Sequence, residues 1–297
     1  MSLRRASAVA AAAVLLGSLA TGQAPAAVAA PAAANAACQI PVGSVDAGGD
    51  LAHSTITATT PPTARHSTGQ HMFTPGVAKL SSTWTYTVLN PVGFYDAAYV
   101  VLNSSLYYAR YGEDTDGTTI NSLHKIGGGW DKFTSIEESF YWGKTFRGAF
   151  YGMRNDGVLF RWTDGFKKVS SYPGFSAVKT MTLISETATY DTFLANTKGG
   201  ALYTIRIPAS TPMKPVVKQV RSRTWQGFEH LVADKCGSQS TLLTGIDKDT
   251  GSAYLYAVSH ANGTSTVIKG LGKVPGTYKD PVYYLNTAEG NAPLFGE

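Results

Sequence analysis

Short runs in which apolar and polar residues alternate punctuate the chain. They include "STITATT" (54–60), "WTYTVLN" (84–90), "AYVVLN" (98–103), "SLYYARYG" (105–112), "VLFRWTDG" (158–165), "ALYTIRIP" (201–208), "TLLTGID" (241–247) and "YLYAVSH" (254–260). Each is bounded by Gly, Pro, Asn, Asp or Ser, and a period of two with turn residues at both ends predicts a strand. No stretch of a dozen residues keeps a helical apolar stripe without a Gly, Pro or β-branched interruption. The pattern predicts an all-β chain.

The strands recur in register. Ile56, Leu106, Leu159, Leu202 and Leu255 hold equivalent places at intervals near 50 residues, a period that fits a β-propeller better than a sandwich, whose turns recur every 8–12 residues or so. A second series keeps phase with the first: "GGWDKFTSI", "YPGFSAV", "TWQGFEHLV" and "VPGTYKDPVYYL". Each is a glycine turn followed by Phe133, Phe175, Phe228 or Tyr278, whose expected role is packing between blades. The expectation is a five-bladed β-propeller of four-stranded antiparallel blades, at about 83–128, 129–172, 173–223 and 224–273 plus one composite. In that composite, 51–82 supplies the outer strands "STITATT" and "GVAKLSS", and 280–297 supplies inner strands, so both termini close the ring.

The first 37 residues are set apart by composition. Arg4 and Arg5 precede an apolar stretch, Ala8–Ala20, and an Ala/Pro-rich leader with small-residue cleavage sites at 27–29 and 34–36. This reads as a removable signal peptide over 1–37, with Sec and twin-arginine routes both open and a lipid anchor on Cys38 as a weaker alternative. The division is then leader 1–37, an N-terminal tail 38–50, and the propeller 51–297. No later run approaches the ~18 apolar residues of a membrane span. A formal charge of +5, two units of which are the leader's arginines, with no Lys/Arg run, points away from nucleic acid. Export with only two cysteines predicts a Cys38–Cys236 disulfide.

A family resemblance follows from these stretches. "IGGGWDKFTSI" (126–136) resembles the "IGxGGWxxF" hinge of the tachylectin-2 type of five-bladed propeller lectin. Ser54–Trp84 is similar to that family's outer-strand segment, and Gly148–Gly165 resembles its "GxLYAV" strand and the next. The resemblance implies a non-enzymatic protein that binds N-acetylated sugars or cell-surface glycans in pockets between blades. Only Gly129-Trp130 keeps the family's Gly-Trp pair; the equivalents are Pro173-Gly174, Trp225-Gln226-Gly227 and Pro275-Gly276-Thr277, and the family's Asp-Asn-Trp element has no match.

Candidate chemistry concentrates at the same turns. Trp130 and Trp225 offer flat faces for sugar rings, while Asp131 and Gln226 beside them offer hydrogen bonds; Gly127, Gly128 and Gly129 form the expected hinge. A phosphate-binding role for the three glycines lacks the strand–loop–helix context it requires. Gly-x-Ser-x-Gly (in the mature chain), His-Glu-x-x-His and sialidase-type Asp boxes are all missing, and the six histidines are scattered. A propeller glycoside hydrolase or lyase is the enzymatic rival. The adjacent Glu137-Glu138, expected on opposite faces of a strand, argues against a catalytic pair. A protein-binding or structural propeller is the third reading. "GEDTDGTT" and "DKDTGS" read as hairpin turns, with calcium at Asp114/Asp116 or Asp247/Asp249 as the alternative. No cofactor or further metal is expected.

Overall fold

The computed structural model describes residues 37–90, 92–291 and 293–297; the expected leader therefore lies, Ala37 apart, outside the described residues. The described residues form strands and turns with no α-helix. The chain opens with an antiparallel meander of β1 (Gln39–Val45), β2 (Asp50–Thr57) and β3 (Thr63–His71). Next come β4 (Ala78–Ser81), β5 (Trp84–Leu89), β6 (Gly93–Leu102), β7 (Ser105–Glu113) and β8 (Thr119–Gly128). Both β4 and β5 pair with β6, as one strand broken at Ser82-Thr83, and β7 and β8 follow antiparallel.

Three separate four-stranded antiparallel sheets come after. The first holds β9 (Phe133–Trp142), β10 (Phe146–Arg154), β11 (Leu159–Thr163) and β12 (Lys168–Tyr172). The second holds β13 (Val178–Glu186), β14 (Tyr190–Thr197), β15 (Leu202–Pro208) and β16 (Val216–Arg221), and the third β17 (His230–Cys236), β18 (Ser240–Asp247), β19 (Ser252–Val258) and β20 (Ile268–Val274). Finally β21 (Val282–Ala288) pairs antiparallel with β1 and, over Asn286–Ala288, parallel with Trp84–Tyr86 of β5. The first two strand groups thus join in one mixed nine-stranded sheet, where uniform antiparallel blades were expected.

Two boundaries differ from expectation. The stretch 38–50 is not a tail, because Gln39–Val45 forms β1. Within it Gly43 admits the Tyr284 ring: a Cβ would fall 2.0 Å from it. "GVAKLSS" is not an outer strand; it holds β4, which pairs with β6.

Five clusters of buried apolar side chains each draw on two neighbouring strand groups. One joins Ile40 and Ile56 to Leu242 and Leu255, and another joins Tyr151 and Leu159 to Phe193 and Ile205. A third packs Val45 and Leu51 on Trp84 and Ala109, a fourth packs Leu194 and Leu202 on Leu231 and Leu243, and the last packs Leu106 on Trp130 and Phe150. The five register residues Ile56, Leu106, Leu159, Leu202 and Leu255 lie on β2, β7, β11, β15 and β19 and are wholly buried. Strands β4, β9, β13, β17 and β21 touch in that order, and β21 touches β4 again.

The handover turns carry a repeated hydrogen bond. The N–H of Phe73 donates to Gly49 O (3.0 Å), Trp130 to Ser104 O (2.9 Å), Phe175 to Gly157 O (2.9 Å), Trp225 to Gly200 O (3.0 Å) and Tyr278 to Gly251 O (3.1 Å). All five aromatic residues are buried. Phe133 and Phe228 are therefore not the equivalents of Phe175 and Tyr278; they sit three residues further on, where Gly152 and Gly245 let their rings approach the second strand. The cysteines are joined, with Cα atoms 5.6 Å apart, so that the residue before β1 is tied to the end of β17.

Candidate functional site

The residues singled out at the turns are placed as follows. Trp130 is 7 % exposed and Trp225 5 % exposed. The Trp130 ring packs on Phe133 (4.4 Å between centroids), Trp162 (5.0 Å) and Phe150 (5.8 Å); Trp225 packs on Tyr256 (5.0 Å) and Phe228 (5.6 Å). Their shared position with Phe73, Phe175 and Tyr278 makes packing their first role. Asp131 and Gln226 are exposed beside them. Of the three hinge glycines, Gly129 alone has a left-handed backbone (φ 85°); Gly127 and Gly128 end β8 opposite Leu106 and Ser105, with open space where a side chain would stand.

The acidic turns use their carboxylates internally. Asp114 Oδ1 accepts the Thr115 N–H, Asp116 Oδ1 the Thr118 N–H, and Asp247 Oδ1 the Thr250 N–H. Among the described residues no group of three or more His, Cys, Asp or Glu has a metal-holding arrangement. The chemistry of Asx-type turns accounts for these positions.

The chain builds a different concavity where β5, β9, β13, β17 and β21 converge. It is a cavity of about 370 Å³. Tyr99 and Tyr108 line one side, with Glu137 and Glu138 of β9, Glu186 at the end of β13, and Asp234 of β17; the segment after β21 lines the rest. That segment is fastened down: Leu294 O accepts the Glu186 N–H, Phe295 bridges Ser185, and buried Glu297 meets Arg206 at 3.3 Å.

Glu137 and Glu138 both border this cavity, although adjacent side chains of a strand point to opposite faces. An innermost strand has no further strand covering its free edge, so side chains of either parity border the open space. Their environments differ. Glu137 Oε1 accepts the N–H groups of Thr83 and Glu138, both at 2.9 Å, and so satisfies the backbone at the break between β4 and β5. Glu138's carboxyl accepts no hydrogen bond from any described residue. Burial pushes Glu138 up to about 8, aided by the charges of Glu137 and Glu186. Burial likewise pushes Glu186 to about 8, aided by Asp191, and its Oε1 accepts a 3.3 Å bond from Phe140 N.

A stability consequence follows. These carboxyls are raised from 4.5, so between about pH 4.5 and 8 the folded protein binds more protons than the unfolded chain. Their stabilising contribution is full below about pH 4.5 and falls as pH rises through that window. Urea unfolding should show a loss of at least about 3 kcal/mol from pH 5 to pH 8, and Glu138→Gln should flatten the slope. A flat wild-type profile would mean that neither carboxyl is held protonated.

At the rim, the hairpin joining β9 and β10 carries an aromatic face that the sequence reading passed over. Trp142 is 66 %, Phe146 59 % and Phe140 39 % exposed. Trp142 stands across the hairpin from Phe146 with ring centroids 4.8 Å apart, and Phe140 stacks near Phe146 at 6.1 Å. The signal was present in "SFYWGKTF": aromatics at 140, 142 and 146 around a Gly-Lys turn share one face of a hairpin. An exposed apolar patch beside a concavity marks an interaction surface.

No family model matches the chain. No curated protein matches it either. Among the described residues no helix is long and apolar enough to cross a membrane. The similar solved structures include the SapL1 lectin in complex with alpha methyl fucoside, 9 % identical, covering 81 % of this chain and 98 % of that one, with a TM-score of 0.41; at that level the likeness carries no argument, and the resemblance to the tachylectin-2 family rests on the quoted motifs alone.

Proposed function

We propose that this chain is an exported, non-enzymatic carbohydrate-binding protein, built as a five-bladed propeller whose last blade is β21 with β1–β3. The unbroken circuit of contacts among the five innermost strands and the five repeated turn bonds support the architecture. The leader composition and the disulfide support export. One observation carries the functional reading: the exposed Trp142–Phe146–Phe140 face, of which Trp142 and Phe140 stand at the mouth of the carboxyl-bearing cavity. Sugar rings present C–H faces to aromatic rings and hydroxyls to the Thr, Tyr and carboxyl groups beyond them.

The test is a glycan array followed by titration calorimetry on the best ligand. Trp142→Ala should weaken binding at least ~10-fold with little change in melting temperature, since an exposed ring contributes little to folding. Unchanged binding would move the site to the blade junctions, where Asp131 and Gln226 stand beside Trp130 and Trp225. A glycoside hydrolase is the second reading. Glu138 is kept protonated near neutral pH beside Glu137, which burial also raises while two N–H groups oppose that rise, so the pair offers a protonated acid next to a hydrogen-bonded carboxyl. A hydrolysis assay on the same glycans decides between them.

A further inference from the structure

We propose that the central cavity takes a cationic glycan, a hexosamine carrying a free ammonium group, in preference to N-acetylated or acidic sugars. This rests on the carbohydrate reading above and names its ligand class. The protein as a whole is basic, with a formal charge of +5, yet carboxyl groups outnumber cationic side chains in the cavity lining. Its lining holds five carboxyl groups, on Glu137, Glu138, Glu186, Asp234 and Glu289, and one cationic side chain, Lys235.

The groups facing Glu138 come from every element around it. Glu137 is its neighbour on β9, Glu186 reaches in from β13, Tyr99 and Tyr108 from β6 and β7, Asp234 and Lys235 from β17, and Glu289 from the segment after β21. Arg110 stacks over Tyr95 at 4.1 Å, and Arg147 is consumed by Asp191. The Glu138 carboxyl, which accepts no hydrogen bond from a described residue, thus borders a space that offers acceptors for a donor-rich group. At the rim, exposed Trp142 and Phe140 present ring faces, which attract cations as well as sugar C–H groups. An anionic sugar would gain no charge partner from these carboxyl groups, protonated or ionised; Lys235 is the cationic side chain among the described lining residues.

Protonation sharpens the expectation. Burial holds Glu138 and Glu186 protonated at neutral pH, so an incoming ammonium displaces protons. Binding of a fixed-charge ligand should therefore strengthen as pH rises toward 8.

Calorimetry on the intact protein with four probes tests this: a β-1,4-linked glucosamine tetrasaccharide, its fully N-acetylated form, its N-trimethylated form, and a tetrameric uronate. The free-amine tetramer should bind at least ~10-fold tighter than the acetylated one at pH 7, and the preference should weaken with added salt. The trimethylated tetramer should bind several-fold tighter at pH 8 than at pH 6 with proton release. Glu138→Gln with Glu186→Gln should abolish the preference for the amine. Equal or tighter binding of the acetylated or uronate probe overturns the inference and leaves the carbohydrate reading standing. Failure of all four probes to bind overturns the inference, and failure of the glycan array as well overturns the carbohydrate reading.

Discussion

Serine in place of both Cys38 and Cys236 is expected to lower stability by about 3–5 kcal/mol and the melting temperature by roughly 10 °C. The bridge spans 198 residues, and in the chain-entropy account a longer closed loop removes more freedom from the unfolded chain. Its position adds to the effect. Cys38 stands directly before β1, and β1 bridges β21 to β2 and β3. Untying it frees the end of the strand through which the two chain termini meet. Urea unfolding of the double-serine protein gives the measurement. A loss below about 1 kcal/mol would show that strand pairing and the cluster around Ile40 and Ile56 hold this seam without the bridge.

The second large effect is expected at Asp191. This carboxylate is wholly buried on β14 and accepts from Arg147 Nη1 and Nη2 at 2.5 Å, from Ser139 Oγ at 2.6 Å and from Tyr151 Oη at 2.6 Å. Ser139 lies on β9 and Arg147 and Tyr151 on β10, so one side chain ties two adjacent sheets. Asp191→Ala strands a nearly buried guanidinium and two hydroxyls, and should lower stability by about 3–5 kcal/mol in urea unfolding. Replacing Arg147 by Met and Asp191 by Leu together should recover part of that loss, because the uncompensated charge is gone. If Asp191→Ala costs less than about 1 kcal/mol, water or a neighbour takes over the guanidinium and the staple is not what holds these sheets.

Much of the architecture was legible in the residues. Alternation of apolar and polar positions marks Leu106, Leu159, Leu202 and Leu255 as inward-facing, because a strand's side chains change face at every residue. Each is wholly buried, Leu106 on β7 next to the last strand of its group and the others on the third strand of a four-stranded sheet. The disulfide was legible for a different reason: two cysteines leave a single intramolecular pairing. The turn aromatics were visible too, but not their register. Trp130 and Phe133 both follow glycines, and only the hydrogen bond from Trp130 N to Ser104 O shows which of them repeats Phe175.

The candidate site was far less legible. Trp130 and Trp225 stood out because tryptophan beside glycine is conspicuous, yet burial is a property of what packs on a ring, and Phe150, Trp162 and Tyr256 come from elsewhere in the chain. Phe140, Trp142 and Phe146 alternate as core residues do, so periodicity could not mark them as exposed.

The local pattern by itself determined that this chain forms short antiparallel strands, repeats them at a period near 50 residues, and turns on glycine next to a buried aromatic. Backbone conformation and side-chain alternation depend on near neighbours, which the sequence states directly. Tertiary structure alone decided three things: that β21 lies parallel to β5, that Glu137 satisfies the break at Thr83, and that Glu138, Glu186 and Asp234 face one cavity. Each joins residues from different strand groups. The strength of their mutual repulsion and desolvation depends on distance and burial in the folded state, quantities that spacing along a chain does not contain.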